Sequence, residues 1–463
     1  MDKPIFDRPE PSSRRRATHF PQSYIVCKDA KTIVKDYPYW WDTASGFAPD
    51  TSARDQGPSF APASYDVVIV GAGYTGLSAA RRLALAGASV LVVDKQSLGW
   101  GASSRNGGQV LTGLKVEPAD LVARYGESRA RQLFSEASRA LERVRDVIAQ
   151  ESIDCDYSRS GHIQAAWKPS HFEAFREDQA LLARVFNHPI ELLSRAEQRS
   201  EIGSDTYHGV LVDEHSASLN PARYVLGLAS AARRAGASVV GGVGVHHLRQ
   251  QSATWRLATT AGDITARDVL LATDGYTNGA APDLRKRLVP VGSYIIATEP
   301  LGQERASRLL PKGRVAFDSK HFLYYFRLTS DCRLLFGGRG EFSTPSAAST
   351  RRAASALRSG MLKVFPDLGD VRIEYAWSGT VAFTRDQMPR AGKLGGAYYA
   401  GGYCGHGIAM ATYLGDEIGR RMAGELVENP FFDDAFRPIP LYNGSTWWLP
   451  AVGAYYRVKD WIR

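Results

Sequence analysis

The chain has 463 residues, a formal net charge of +9 and a hydrophobic fraction of 44%. This length exceeds what one hydrophobic core usually spans, so two domains are expected, and the lack of any run of about 18 apolar residues argues against a transmembrane helix or a membrane partner. The basic residues are scattered pairs without interleaved aromatics, which argues against a nucleic-acid partner, and the four cysteines lie far apart, which argues against disulfides and metal and favours a cytoplasmic location.

The first 64 residues are rich in proline, serine and charge and show little periodicity. They predict an N-terminal arm draped over the body of the protein. The aromatic stretch at residues 38–41 is expected to pack down against that body.

Residues 65–94 then carry the pattern of a β-α-β unit with the sequence G-x-G-x-x-G between its first strand and its helix. Gly71 permits the tight turn, Gly73 lets a pyrophosphate approach the backbone, and Gly76 lets the helix press on the strand. The helix N-terminus offers free N–H groups to phosphates, and Asp94, at the end of the second strand, is placed to bind a ribose hydroxyl. The alternative is a glycine-rich turn in a plain α/β unit.

Further along the chain, helical and strand patterns alternate. Helices are predicted at residues 117–152, 170–186, 221–236 and 408–423. Strands are predicted at residues 161–167, 238–245, 268–275, 289–298, 321–338 and 397–400. Dinucleotide-type segments at residues 65–112, 205–280 and 378–428 alternate with segments of antiparallel character, which predicts two interleaved domains.

Three further stretches are candidates for ligand contact. Residues 99–109 follow the acidic strand end with small residues beside Ser103, Ser104, Arg105 and Asn106, although an ordinary surface loop would look similar. The strand ends at residues 271–275 and at Val245 are placed to touch a dinucleotide, or are ordinary strand ends. Residues 400–408 form a second glycine-rich turn that opens a helix, where the backbone amides and His406 would stabilise negative charge on a ring unless His406 is structural.

These stretches, with several others, resemble the D-amino-acid-oxidase-like FAD flavoproteins, which include glycine oxidase and monomeric sarcosine oxidase. Within that family the chain looks most like the gamma-glutamylputrescine oxidase branch. The strings that carry the resemblance are residues 39–41, 71–76, 99–109, 154–161, 290–300, 324–329, 335–339, 377–386 and 401–407.

The resemblance implies an α/β fold in which a FAD-binding Rossmann-type domain is interleaved with a mixed α+β substrate domain built on an antiparallel sheet. The expected FAD-binding parts are residues 65–150, 205–284 and 378–428. The expected substrate-domain parts are residues 151–204 and 285–377, and residues 429–463 form a C-terminal extension.

The residues expected to contact FAD come from the glycine turns, the loop between them and the strand ends. They are Gly71, Gly73, Tyr74, Thr75, Gly76, Asp94, Lys95, Gly101, Ala102, Ser103, Ser104, Asn106, Gly107, Gly108, Gln109, Val245, Ala272, Thr273, Gly402, Gly405, His406, Gly407 and Ile408.

Two departures from the family pattern bear on how the flavin is attached and on which molecule accepts its electrons. Relatives with a covalent flavin carry a cysteine where this chain has Thr380 and Val381, so non-covalent FAD is expected, with attachment at Cys404 as a lesser alternative. The lysine that activates oxygen in monomeric sarcosine oxidase falls near Leu335, so an acceptor other than oxygen stays open.

The expected activity is oxidation of the C–N bond of an amine or amino acid by hydride transfer to the flavin, followed by imine hydrolysis to an aldehyde or keto product. The candidate catalytic residues are His406, Tyr325 and Arg327, of which Arg327 would hold a carboxylate or else form a sheet-surface salt bridge. Candidate substrate-contacting aromatics, equally expected as core residues, are Tyr294, Phe322, Tyr325 and Trp377. No general base stands out.

Three other functions stay open on the sequence alone. They are an FAD-dependent amino-acid dehydrogenase with a non-oxygen acceptor, an NAD-dependent dehydrogenase and a non-catalytic flavin-binding protein. In the first two readings, as in the preferred one, the partners are a small molecule to be oxidised and an electron acceptor.

Overall fold

The computed structural model describes residues 24–26, 33–45, 47, 64–338 and 345–462. Most of the predicted N-terminal arm, and Arg339 at the end of one string, lie outside the described residues. The strands are β1 (Tyr24–Val26), β2 (Ile33–Lys35), β3 (Ser64–Val70), β4 (Val90–Val93), β5 (Gln109–Val110), β6 (His162–Ala165), β7 (Glu191–Ser194), β8 (Gly209–Asp213), β9 (Ala217–Ser218), β10 (Ser238–Val240), β11 (Val245–Gln251), β12 (Thr254–Thr259), β13 (Gly262–Leu271), β14 (Val289–Thr298), β15 (Val315–Asp318), β16 (Tyr324–Leu328), β17 (Leu334–Gly338), β18 (Ile373–Phe383), β19 (Arg390–Leu394) and β20 (Ala397–Gly401).

The segments predicted as helices at residues 117–152, 170–186, 221–236 and 408–423 are helical in the structure, whereas the helix at residues 347–364 was not predicted. The helices are α1 (Tyr39–Thr43), α2 (Tyr74–Leu85), α3 (Ala102–Arg105), α4 (Pro118–Glu151), α5 (Pro169–Phe186), α6 (Pro221–Arg234), α7 (Pro282–Arg285), α8 (Gln303–Leu309), α9 (Ala347–Val364), α10 (Gly407–Met422) and α11 (Leu449–Ile462). Within the described ranges, no helix has both the length and the apolarity that a membrane span requires.

The first sheet is built around parallel strands in the order β10-β4-β3-β13, as the glycine-motif unit predicts. The long strand β13 then pairs with β20 in parallel through its last residues and with β12 in antiparallel fashion through its first residues. One face of β3 and β4 packs in a core shared with α2, α6 and α10, and the other face packs against the β11–β12 hairpin. Both faces are covered, which explains the continuous apolar runs of β3 and β4.

The second sheet is mixed and has the strand order β1-β2-β18-β14-β17-β16-β15-β6-β8-β7. Side chains alternate across its strands, so Tyr294 and Ile296 of β14 pack in a core shared with α9, whereas Ile295 and Ala297 face the core of the first sheet's unit. The second sheet therefore turns one face towards the parallel sheet and leaves space for a ligand between the two.

The aromatic stretch in α1 is buried in the main core, as expected, with Tyr39, Trp40 and Trp41 each less than 10% exposed. One predicted strand, at residues 238–245, is wrong. The chain leaves β10 at Val240 because Gly242 takes a φ of 78°, and Val245 begins the next strand rather than ending the previous one.

Candidate functional site

A cavity of about 650 Å³ runs from the glycine-motif turn along the carboxyl ends of β3, β4 and β13 to the inner face of the second sheet. Its volume is in the range of small-molecule sites. Most of the residues expected at the cofactor line it. They are Gly71, Gly73, Tyr74, Thr75, Asp94, Lys95, Gly101, Ala102, Ser103, Asn106, Gly107, Gln109, Val245, Ala272, Thr273, Gly405, His406, Gly407 and Ile408.

The glycine-motif turn has the tight geometry that its sequence predicts. Gly71 has a φ of 112°, and a Cβ there would lie 2.6 Å from the carbonyl oxygen of Ala272. A Cβ on Gly76 would overlap the carbonyl oxygen of Gly71 and press on Ile69 of β3. Gly76 is therefore a packing residue between α2 and β3, and it does not line the cavity. Gly73 lines the cavity where α2 begins, and a Cβ there would lie 2.8 Å from Ser103 Oγ.

Asp94 holds the glycine-motif turn through hydrogen bonds to the backbone. Its Oδ2 accepts a hydrogen bond from the backbone N–H of Ala72 at 2.8 Å, and its Oδ1 accepts one from Gln96 N–H at 2.9 Å. Burial raises the pKa of Asp94, and these two donors oppose that rise. Asp94 thus fixes the turn between β3 and α2 as well as facing the cavity.

Three tryptophan indoles hold the loop that covers this turn. Trp40 Nε1 donates to Asn106 O at 2.8 Å, Trp41 Nε1 to Ser104 Oγ at 2.9 Å and Trp377 Nε1 to Arg105 O at 2.9 Å. These bonds rigidify one wall of the cavity. They also correct two assignments, because Ser104 and Trp377 lie in the core behind the loop and do not line the cavity.

The second glycine turn, at residues 401–407, is tied to the first sheet by groups that are distant in sequence. Gly402 N–H donates to Asp274 Oδ1 at 2.7 Å, and burial raises the pKa of Asp274 to about 6. The hydroxyls of Tyr403 and Thr75 lie 2.6 Å apart, which joins this turn to the start of α2. The sequence flagged residues 271–275 only as a strand end, so the anchoring role of Asp274 was missed.

His406 stands at the start of α10 and lines the cavity. The structure gives its buried Nδ1 atom no hydrogen-bond partner. Burial, followed by the charges of Lys115 and His162, lowers the pKa of His406 to about 3, so its imidazole is neutral at physiological pH. His406 can therefore act as a hydrogen-bonding group here, and a protonated imidazole does not fit this environment.

Arg327 is the largest departure from the predicted site. Its Nη1 donates to the carbonyl oxygens of Gly108 and Leu219 at 2.8 and 2.9 Å, and burial lowers its pKa to about 10. Arg327 does not line the cavity, and neither does Gly108. The expectation that Arg327 holds a substrate carboxylate is corrected, because its guanidinium is used to join two backbone segments.

Three other expected contacts also lie away from the cavity. Tyr294 points to α9, where its hydroxyl donates to Ser349 Oγ at 3.0 Å, and Phe322 packs in the cluster around Val289 and Tyr442. Gly402 allows the chain to turn at residues 401–407, since its φ of 76° lies in the left-handed region that favours glycine. Of the predicted aromatic wall only Tyr325 lines the cavity, with its hydroxyl 3.0 Å from Ser293 Oγ.

The far wall of the cavity carries polar groups that sequence reasoning missed. They are Thr112, Lys115, Glu117, His162, Gln164, Asp178, His188 and Asp213. Burial, followed by the charge of Glu117, raises the pKa of Asp178 to about 6. These residues come from β6, β8, α5, the loop after α5 and the segment before α4, and no local pattern marks them as neighbours.

Comparison with known proteins identifies the group of enzymes to which this architecture belongs. Residues 66–421 match a family described as "FAD dependent oxidoreductase". The chain belongs to this family. It therefore depends on FAD, and the fold class predicted from the sequence is confirmed.

Individual relatives agree with this assignment. The chain is 34% identical to gamma-glutamylputrescine oxidoreductase of Escherichia coli (strain K12) over 403 residues, which cover 85% of this chain and 92% of that protein. Among solved structures it is similar to glycine oxidase from Geobacillus kaustophilus, with a TM-score of 0.65, 22% identity, and coverage of 82% and 98% of the two chains. L-proline dehydrogenase from P. horikoshii shares the fold with a TM-score of 0.62 and 19% identity, and the match covers 78% of this chain and 93% of that one.

The residues of the cavity fit FAD. The tight Gly71 turn at the start of α2 leaves room for a pyrophosphate against backbone N–H groups, and the His406 Nδ1 atom offers an unpartnered polar group at the other glycine turn. Cys404 lines the cavity, but its Sγ lies 3.2 Å from Gly402 O and burial raises the pKa of the thiol to about 12. A thiol held in its neutral form is a poor nucleophile, which disfavours covalent attachment at Cys404.

Proposed function

We propose that this protein oxidises the C–N bond of a positively charged, gamma-glutamylputrescine-like amine with non-covalently bound FAD as the electron acceptor. The observation that carries the proposal is the position of Asp178 and Glu117 on the wall of the same cavity that begins at the glycine-motif turn. Carboxylates on that wall attract a cationic substrate. Since Arg327 is bonded to two backbone carbonyls, it cannot hold a carboxylate beside the reacting amine, as oxidation of an α-amino acid would require.

The name of one known relative supports an amine substrate. The Escherichia coli relative is named for oxidation of gamma-glutamylputrescine, and it is similar to this chain over most of both lengths. The free thiols of Cys155, Cys332 and Cys404 fit a reducing compartment such as the cytoplasm.

Each part of the cavity has a role in this proposal. The N-terminus of α2 and Asp94 would hold the dinucleotide, and the second glycine turn with His406 would face the ring of the cofactor. FAD, when bound, supplies the acceptor for a hydride from the carbon next to the amine nitrogen. The ring of Tyr325 packs against Gly107, where a Cβ would lie 3.2 Å from it, and so forms an aromatic wall beside the loop. Water then adds to the imine, and the C–N bond breaks to give the aldehyde and ammonia.

Flavin bleaching under anaerobic conditions tests the proposal. The purified yellow protein is mixed with gamma-glutamylputrescine, putrescine, sarcosine, glycine or L-proline, and the loss of visible flavin absorbance is followed. Fast bleaching by the first of these, with slow or no bleaching by the three amino acids, is the expected result. Preferential bleaching by an amino acid would refute the amine assignment, and no bleaching by any compound would favour a flavin-binding protein without this activity.

The role of the acidic wall is tested with a matched pair of variants on α5. Asp178→Asn is expected to raise the KM for the amine, because it removes a negative charge from the cavity wall. Glu177→Gln changes an exposed neighbour that does not line the cavity and is expected to leave KM unchanged. The buried Leu335 stands near the position of the oxygen-activating lysine of monomeric sarcosine oxidase, so the electron acceptor stays open. Peroxide measured during aerobic turnover would show whether the acceptor is oxygen.

A further inference from the structure

Two histidine rings meet one buried carboxylate at the far wall of the cavity. Nε2 of His188 lies 2.7 Å from Asp213 Oδ2, and Nδ1 of His215 lies 3.0 Å from Asp213 Oδ1. The ligand atoms of these three side chains all lie within 4.8 Å of one another, and no other trio of histidine, cysteine or acidic residues in the described ranges of the chain does so. His188 and Asp213 line the cavity and His215 is partly exposed, so a small ion can reach the trio.

The fold brings this trio together from two segments of the chain. Asp213 is the last residue of β8, and His215 follows two residues later. Asn187 ends α5 with a φ of 51°, and the N–H of His188 donates to Leu182 O at 3.0 Å, which fixes the backbone there. Strand β7 then pairs with β8 and so brings His188 to the carboxylate. Because 25 positions separate His188 from Asp213, no local spacing marks the two as ligands of one ion.

The carboxylate of Asp213 is also oriented by groups other than the two imidazoles. Thr112 Oγ1 donates to Oδ2 at 2.6 Å, and the backbone N–H of His215 donates to Oδ1 at 2.8 Å. The ring of His188 packs edge-on against Phe134 with a centroid distance of 5.2 Å. Hydrogen bonds to the ligands and an apolar surround of this kind are typical of metal sites, where they orient the ligands. The trio is therefore positioned before any ion binds.

We propose that His188 Nε2, one carboxylate oxygen of Asp213 and His215 Nδ1 bind a zinc ion. Zinc accepts two imidazoles and a carboxylate as three protein ligands, with water in the fourth tetrahedral position. Bonds of about 2.0–2.2 Å place tetrahedral ligand atoms roughly 3.3–3.5 Å apart. The observed separations of 2.7 and 3.0 Å need to lengthen by roughly half an ångström to reach this geometry. The two nitrogen donors disfavour Mg²⁺ and Ca²⁺, which prefer oxygen ligands.

Zinc would replace the hydrogen bonds within the trio. An ionised carboxylate only accepts, so the imidazole nitrogens that face Asp213 carry protons when no ion is bound. A zinc ligand needs a lone pair, so each neutral imidazole holds its proton on the other ring nitrogen once the ion is bound. Nothing is oxidised or reduced in this exchange. The bound ion would join the loop after α5 to the end of β8 and so fix part of the cavity wall. The inference does not depend on the proposed amine substrate.

Zinc titration of the FAD-bound protein tests the site. The protein is made without a histidine tag, dialysed against a chelator and titrated with Zn²⁺ in competition with a chelating dye. The wild type is expected to bind one equivalent, with a higher thermal unfolding midpoint in its presence. His215→Gln changes the partly exposed ligand, so the fold should be kept, and zinc should bind at least about 100-fold more weakly. The control is His171→Gln, a histidine bonded to Ser319 outside the trio, and its zinc affinity should match the wild type.

Two further measurements examine the ligands themselves. Thr112→Val removes the hydroxyl that orients Asp213 and should weaken zinc binding by about 10- to 100-fold. X-ray absorption at the zinc edge should show two imidazole ligands, and a spectrum without imidazole would overturn the proposal. Equal zinc affinities in the wild type and His215→Gln would place the ion elsewhere and overturn it as well. A wild type that takes up no zinc would show that the trio is only a hydrogen-bonded cluster.

Discussion

Asp94 offers the sharpest test of the proposal that the glycine-motif turn binds the dinucleotide. The change Asp94→Ala removes the acceptor proposed for the ribose, and a hydrogen bond to a charged group contributes about 1.5–3 kcal/mol. That range corresponds to roughly a 10- to 150-fold weaker affinity for FAD. The two backbone donors that Asp94 satisfies, Ala72 N–H and Gln96 N–H, also lose their partner, so the upper part of this range is expected.

Asp66 provides a matched control at the other end of the same pair of strands. Its carboxylate accepts from Ser89 N–H at 2.9 Å, as Asp94 does from its own neighbours, but it does not line the cavity. Titration of each apoprotein with FAD, followed by flavin fluorescence, should give a weaker affinity for Asp94→Ala and an unchanged one for Asp66→Ala. Equal affinities for Asp94→Ala and the wild type would remove Asp94 from the binding site. Equal losses in both variants would show a general effect on the β3–β4 pair.

Four further outcomes are expected. Arg327→Met should lower the thermal unfolding midpoint and leave KM unchanged, because it breaks two buried hydrogen bonds of about 1.5–3 kcal/mol each. A higher KM at constant stability would restore the predicted role of Arg327 in binding substrate. His406→Ala should retain FAD but slow anaerobic reduction roughly tenfold, the equivalent of about 1.5 kcal/mol, and an unchanged rate and flavin potential would make His406 structural. Since the pKa of Asp178 is about 6, its negative charge disappears below that pH, so KM for the cationic amine should rise as pH falls through 6 in the wild type but not in Asp178→Asn. Acid precipitation should release the yellow colour into the supernatant, whereas colour in the pellet would indicate a covalent link.

The conformation of the glycine-motif turn could be predicted from the sequence. The roles of Gly71 and Gly76 depend on backbone conformation and on contacts within about 30 residues, and the structure has both residues in the predicted geometry. The helix starting at Gly407 and the burial of the aromatic residues in α1 follow equally from local patterns. Such features are fixed by periodicity and steric limits, which a single sequence carries.

Which side chains face the cavity was decided by the tertiary structure. Strand alternation assigns Tyr325 and Arg327 to the same face of β16, yet only Tyr325 lines the cavity, because two carbonyls from distant segments capture the guanidinium of Arg327. The far wall of the cavity includes Thr112, which lies 101 residues before Asp213 in the chain and donates a hydrogen bond to it only when β8 lies beside the loop after β5. The sequence alone determined the glycine turn at which we propose that the dinucleotide binds, since such a turn is a local conformation. The composition of the opposite wall depends on the packing of remote strands, and only the folded chain brings those residues together.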